Sequence, residues 1–98
     1  MDATLNWIPV TSSQISEIGY DATTLTMGIR FLPSKRQRDL GEPGAEYRYF
    51  CIPVELWGEM AKAESKGEFL GSRIKPFPDK FPYVKMGPAA ELEAQQGV

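Results

Sequence analysis

Ser65, Lys66, Gly67, Ser72, Arg73 and Lys75 bring hydroxyls, cations and a glycine backbone together within residues 65–75. Such a set can hold a phosphate. The cations supply charge-assisted hydrogen bonds, and free N–H groups at the start of a second helix add fixed dipoles. A plainer account fits the same residues: Gly67 stops a helix, and the lysines complement the negative end of its dipole. A second cationic group, Lys35, Arg36 and Arg38, stands in LPSKRQRDLGEPGAE, and Tyr47 and Tyr49 follow it with faces on which a nucleobase can stack. Three cations are few beside the roughly 6–10 phosphates a committed nucleic-acid surface neutralises. Asp39, Glu42 and Glu46 also offset them. The tyrosines equally suit cross-strand packing.

Catalytic chemistry is harder to assemble. Cys51 has no histidine anywhere in the chain to activate it, and its place in a strand predicts a small buried hydrophobe. Glu55 and Glu59 have the spacing of a carboxylate pair, which is also the spacing of a solvated helix face. Ser12 and Ser13 have no base at a suggestive distance and are expected to bond backbone groups at the entry to the first strand. No set supplies nucleophile, base and orienter together, so the chain reads as non-enzymatic and without a cofactor. With no histidine and one cysteine, neither a Cys/His zinc site nor an internal disulfide can be built within one chain.

The elements that would position these residues follow from pattern. The 98 residues, 42% of them hydrophobic, suit one domain with one modest core. A formal charge of −2 gives no general basic excess, although Lys62, Lys66, Arg73, Lys75, Lys80 and Lys85 outnumber Glu64, Glu68 and Asp79 locally. No apolar run approaches the ~20 residues of a membrane span, and Asp2 and Asn6 interrupt any secretory signal. The expectation is a cytoplasmic domain that does not enter a membrane.

Ile18 and Tyr20 share one face of a first strand, and Asp21-Ala22-Thr23 predicts a turn. Leu25, Met27, Ile29 and Phe31 alternate with Thr24, Thr26, Gly28 and Arg30 in a second strand, where Gly28 marks a bulge or a close approach. Tyr47, Tyr49 and Cys51 alternate with Arg48, Phe50 and Ile52 in a third. Between the last two, residues 32–46 predict a long inserted hairpin loop. Pro53 suits the first position of a helix over Val54–Lys66, with Leu56, Trp57, Met60, Ala61 and Ala63 forming its apolar stripe. After Gly67, a short second helix can return Phe69, Leu70 and Ile74 to the core. Residues 76–83 are too rich in proline for a helix or a central strand and are expected to lie extended.

The predicted fold is therefore α+β, a three-stranded antiparallel β-meander with one main helix and a short second helix packed on one face. Residues 1–9 form an extension, residues 10–85 the domain, and residues 86–98 a mobile tail. Two open sheet edges predict a homo-oligomer.

Taken in order, SSQISEIGYD, TLTMGIRF and YRYFCIPVELWGEMAKAESKGEFLGSRIK resemble a KTSC domain over about residues 10–75. The resemblance rests on Ser12-Ser13, Gly19-Tyr20-Asp21, Thr24-Leu25 with Phe31, Tyr47 with Tyr49, and Ile52-Pro53. It continues through Ala63, Ser65 and Gly67, then Phe69 and Ile74-Lys75. Such domains occur as small bacterial and phage proteins and as a tail on some lysyl-tRNA synthetases, which implies an accessory domain with no enzyme activity to inherit. This chain differs in its basic insertion around Lys35, Arg36 and Arg38, and in the prolines and aromatics after Lys75.

These features together predict a module that binds a phosphate-bearing ligand, a nucleotide or RNA. In the phage setting that the resemblance allows, it would sequester a host nucleotide signal in a pocket between subunits. The second reading is a protein-interaction or inhibitor domain acting on a host or parent enzyme, with exposed Trp7, Phe77, Phe81 and Tyr83 as anchors.

Overall fold

The alternation of Met27, Ile29 and Phe31 with Gly28 and Arg30 builds the central strand of the domain. In the computed structural model, which describes residues 5–88, that strand is β3 (Thr26–Phe31). It pairs on one side with β2 (Ile15–Asp21) and on the other with β4 (Ala45–Tyr49), all antiparallel. The sheet does not stop at three strands. β1 (Asn6–Pro9) adds to β2 and β5 (Tyr83–Pro88) adds to β4, giving five strands in sequence order.

Both extra strands were hidden by proline. Pro9 and Pro88 sit in edge strands, where a missing N–H interrupts no ladder. The prolines of 76–82 end at Pro82, whose carbonyl accepts the Phe50 N–H at 2.8 Å and starts the new pairing. Residues 76–81 are not extended as expected. The Phe77 N–H donates to the Ile74 carbonyl, and the Lys80 and Phe81 N–H groups donate to Phe77, so the chain turns there. The expected mobile tail overlaps β5 up to Pro88, and its remainder, 89–98, lies outside the described residues.

Two non-glycine residues in left-handed conformation set the strand ends. Leu25 (φ 54°) closes the turn after Asp21, whose Oδ1 accepts the Thr23 N–H, so β3 starts at Thr26 and Leu25 is exposed. Cys51 (φ 60°) ends the β4 alternation, so Cys51 is exposed, not buried as expected, and Ile52 enters the core.

The region 32–46 is not all loop. Ser34 and Gln37 form a reciprocal capping box that starts α1 (Lys35–Asp39), a helix without buried residues. α2 (Val54–Lys62) is shorter than expected, with Pro53 as its N-cap. It is ended by Ala63 in extended conformation rather than by Gly67. Gly67 lies inside α3 (Lys66–Phe69), which Ser65 caps. A Cβ at Gly67 would stand 2.8 Å from Oε1 of Gln14, an exposed side chain that can swing aside. A π-helical turn, Leu70–Ile74, completes the helical layer.

The core lies between the layers. Ile15, Ile18, Tyr20, Met27, Ile29 and Tyr49 of the sheet meet Ile52, Met60, Leu70 and Ile74. The Trp57 ring stacks on Tyr20 at 5.1 Å, and the Tyr20 hydroxyl donates to the Ile52 carbonyl at 2.6 Å.

Candidate functional site

Period-two alternation puts Tyr47 and Tyr49 on the core face of β4, near the side where β5 adds its edge. Register sets Tyr83 opposite Tyr49, and the two rings stand 5.7 Å apart. Tyr83 is also 6.0 Å from Tyr47, and Phe31 meets Tyr47 edge-on at 5.6 Å. These four rings, with Ala45 and Lys75, line a cleft of about 470 Å³ that contains no carboxylate among its lining residues. Lys75 Nζ stands 5.3 Å from the centroid of Phe31.

The π-helical turn delivers that lysine. Leu70 and Ile74 are buried and anchor the turn, and the Lys75 N–H donates to the Leu70 carbonyl five residues back. Such turns occur often at functional sites, because the extra residue redirects the side chains that follow. Burial, then the neighbouring Tyr47 and Tyr83, push the Tyr49 phenol up to about 12. The cleft can therefore offer flat apolar faces and one cation. It lacks a nucleophile with a base.

Of the predicted residues, Tyr47, Tyr49 and Lys75 come together here. The others do not line the cleft. Ser65 accepts the Glu68 N–H, and Lys66 Nζ donates to the Ala61 and Ala63 carbonyls at the end of α2. Ser72 Oγ donates to the Glu68 carbonyl at 2.8 Å. Arg73 pairs with Glu59 at 3.3 Å and lies over Phe69. Lys35, Arg36 and Arg38 stand exposed on α1. Phe31 and Tyr83 are the two rings of the cleft that were not among the residues expected at the ligand site, and Tyr83 comes from a strand that was not expected. Its signal was the proline-free stretch Tyr83-Val84-Lys85-Met86.

The opposite face of the sheet carries a second constellation. Glu46 is 1% exposed, and its Oε1 accepts from Arg30 Nε at 2.8 Å while Oε2 accepts from Arg48. Arg30 also reaches Glu17 at 3.3 Å. Burial opposes the Arg30 charge, but the hydrogen bonds and charges of Glu46 and Glu17 outweigh it, and its pKa stands above the ordinary value. Trp7 covers the group, its ring centroid 3.8 Å from the Arg30 guanidinium carbon. Gly19 and Gly28 make room for it: a Cβ at Gly28 would stand 2.6 Å from Trp7 Cη2. Trp7 is thus packed rather than presented. With both carboxylate oxygens of Glu46 occupied, this constellation holds structure together. Ser12 likewise acts on the backbone, accepting the Gln14 and Ile15 N–H groups.

Among the described residues, no group of three histidine, cysteine, aspartate or glutamate side chains is placed to hold a metal. No described helix is long and apolar enough to cross a membrane.

Comparison with known proteins agrees with this architecture. The model of the KTSC domain family matches residues 11–77. A curated protein of Tsukamurella paurometabola is 34% identical over 68 residues, spanning 69% of this chain and 87% of that protein. The crystal structure of a KTSC domain protein from Yersinia pestis is similar with a TM-score of 0.66 and 31% identity, over 86% of this chain and all of that one.

Proposed function

We propose that this chain, which belongs to the KTSC domain family, is a non-catalytic binding module of the cytoplasm for a phosphate-bearing aromatic ligand, a nucleotide or a short piece of RNA. The observation that carries this reading is the cleft of Phe31, Tyr47, Tyr49 and Tyr83 with Lys75 and no lining carboxylate. A nucleobase gains ~1–3 kcal/mol from stacking on one such ring. A phosphate on the same ligand meets Lys75, whose described contact is the Phe31 face.

A phage-borne sequestering protein is the role that this chemistry suits: it captures a nucleotide and releases nothing. Among the described residues β1 and β5 are the outer strands of the sheet, and unpaired edges there would favour a homo-oligomer. Light scattering at micromolar concentration is expected to give more than the monomer mass, and a monomer would contradict the oligomer.

The second reading, a surface that engages a host protein through aromatic anchors, keeps Phe77 at 45% exposure and Tyr83 at 52%. It loses Trp7 to the Arg30 cluster and Phe81 to the margin of the core.

Titration with the four nucleoside 5′-monophosphates, followed by intrinsic fluorescence, tests the ligand reading. Saturable binding is expected, lost in Lys75→Glu and kept in Arg73→Glu. Equal loss in both variants, or no binding by the unaltered protein, would overturn it.

A further inference from the structure

β5 borders the cleft through Tyr83, and the register of that strand brings a second cation close to it. Tyr47 pairs with Lys85 and Tyr49 with Tyr83. Paired residues in neighbouring strands project from the same face. Lys85 therefore leaves the sheet on the face that carries the tyrosine rings, beside Tyr47 and next to the residues that line the cleft, without being one of them. Lys75 stands over Phe31, which belongs to β3. From β3 to β5 is two strand spacings, ~10 Å. The two lysines thus stand at opposite sides of one aromatic floor.

Four other cations are already held by partners. Arg30 and Arg48 are held by Glu46, Arg73 by Glu59, and Lys66 by two carbonyls. Among the described residues, neither Lys75 nor Lys85 pairs with a carboxylate, and both are exposed. A carboxylate-free aromatic floor with a cation at each side complements a flat ring that carries negative charge in two directions. Flexible lysine stems let each ammonium close on its own phosphate.

We infer that Lys85 is the second cation of this cleft, and that the ligand class is a nucleotide with phosphate on both sides of a stacked base. A 5′-phosphorylated dinucleotide has that arrangement, as does an internal nucleotide of a single strand. The inference rests on the nucleotide-binding reading and narrows it. Lys85 and Tyr83 both lie beyond residues 11–77, the span matched by the family model, so this preference belongs to the part of the cleft that β5 adds.

The test compares 5′-phosphorylated dinucleotides with the monophosphates of the same bases, in the unaltered protein and in Lys85→Ala. The dinucleotide is expected to bind about tenfold more tightly. Lys85→Ala removes that advantage and leaves monophosphate affinity within about threefold, because Lys75 still holds a single phosphate. The salt dependence reads the same contact: dinucleotide affinity is expected to fall more steeply with added salt in the unaltered protein than in Lys85→Ala, because one screened ion contact fewer remains. A decanucleotide that binds no tighter than the dinucleotide identifies a small nucleotide as the source, and a further gain identifies a continuing strand. An unchanged dinucleotide advantage and slope in Lys85→Ala would overturn the role of Lys85 while nucleotide binding stands. No binding of any probe by the unaltered protein would overturn both.

Discussion

Arg30 Nε donates to Glu46 Oε1 at 2.8 Å, and the side chain of that carboxylate is 2% exposed. Trp7 closes over the arginine, so the pair is removed from most of the solvent. Breaking such a pair from one side leaves a buried charge without its partner, which typically costs ~3–5 kcal/mol. Arg48 still holds Glu46 when Arg30 is gone, so Arg30→Ala is expected near the lower end, about 3 kcal/mol. The exposed Arg73–Glu59 pair provides the contrast, and Arg73→Ala should cost less than about 1 kcal/mol. Urea denaturation of the two variants measures both. Equal losses would mean that the Glu46 cluster carries no special weight.

Gly28→Ala tests the seat of Trp7. Its new methyl group would meet Leu5 Cδ1 as well as Trp7 Cη2 at 2.6 Å, so the indole must leave its place over Arg30. Overpacking of this kind costs ~1–3 kcal/mol. In a Trp57→Phe background, the remaining indole emission is expected to shift to the red. Unshifted emission with unchanged stability would show that Trp7 does not depend on the bare backbone beneath it.

Alkaline pH probes the floor of the cleft. Burial and then the neighbouring phenols raise Tyr49 to about 12 from an ordinary value of 10.0. The folded state holds this proton more tightly than the unfolded state. Its contribution is therefore complete below pH 10 and is lost as pH rises towards 12. Burial, then Glu55 and Asp21, raise Tyr20 as well, and that acts in the same direction. Denaturation midpoints between pH 9 and 12 should fall for the unaltered protein and fall less for Tyr49→Phe. Identical alkaline profiles would contradict the burial of the Tyr49 hydroxyl's proton.

Ser65→Ala separates helix capping from ligand binding. Ser65 Oγ accepts the Glu68 N–H at the start of α3, and loss of such a cap costs about 1 kcal/mol. Nucleotide affinity is expected to stay unchanged at temperatures where the variant is folded. A weakened affinity without a stability loss would return Ser65 to the ligand site.

The layers were legible because the core-facing residues of β2, β3 and the helices repeat at the periods of strands and helices. The sheet's width was not. Asn6–Pro9 is a short strand containing proline, and Tyr83–Pro88 follows a proline-rich turn, so neither edge has a long alternating pattern. The end of α2 was misplaced because Gly67 has the composition of a helix stop, whereas Ala63 ends the helix by taking an extended conformation. Composition also made residues 65–75 look like one phosphate cradle. In space Lys66 turns back to α2, Arg73 turns to Glu59, and Lys75 alone reaches the tyrosines. Cross-strand register, which single-chain patterns do not carry, joins Tyr83 to that group.

Native mass spectrometry of the gently purified protein, repeated after denaturation and extraction of small molecules, tests whether the cleft holds a nucleotide. The expected result is a reproducible added mass that absorbs as a nucleobase, is released on extraction, and is missing from Lys75→Glu. A ligand-free unaltered protein that also takes up no added nucleotide would contradict it.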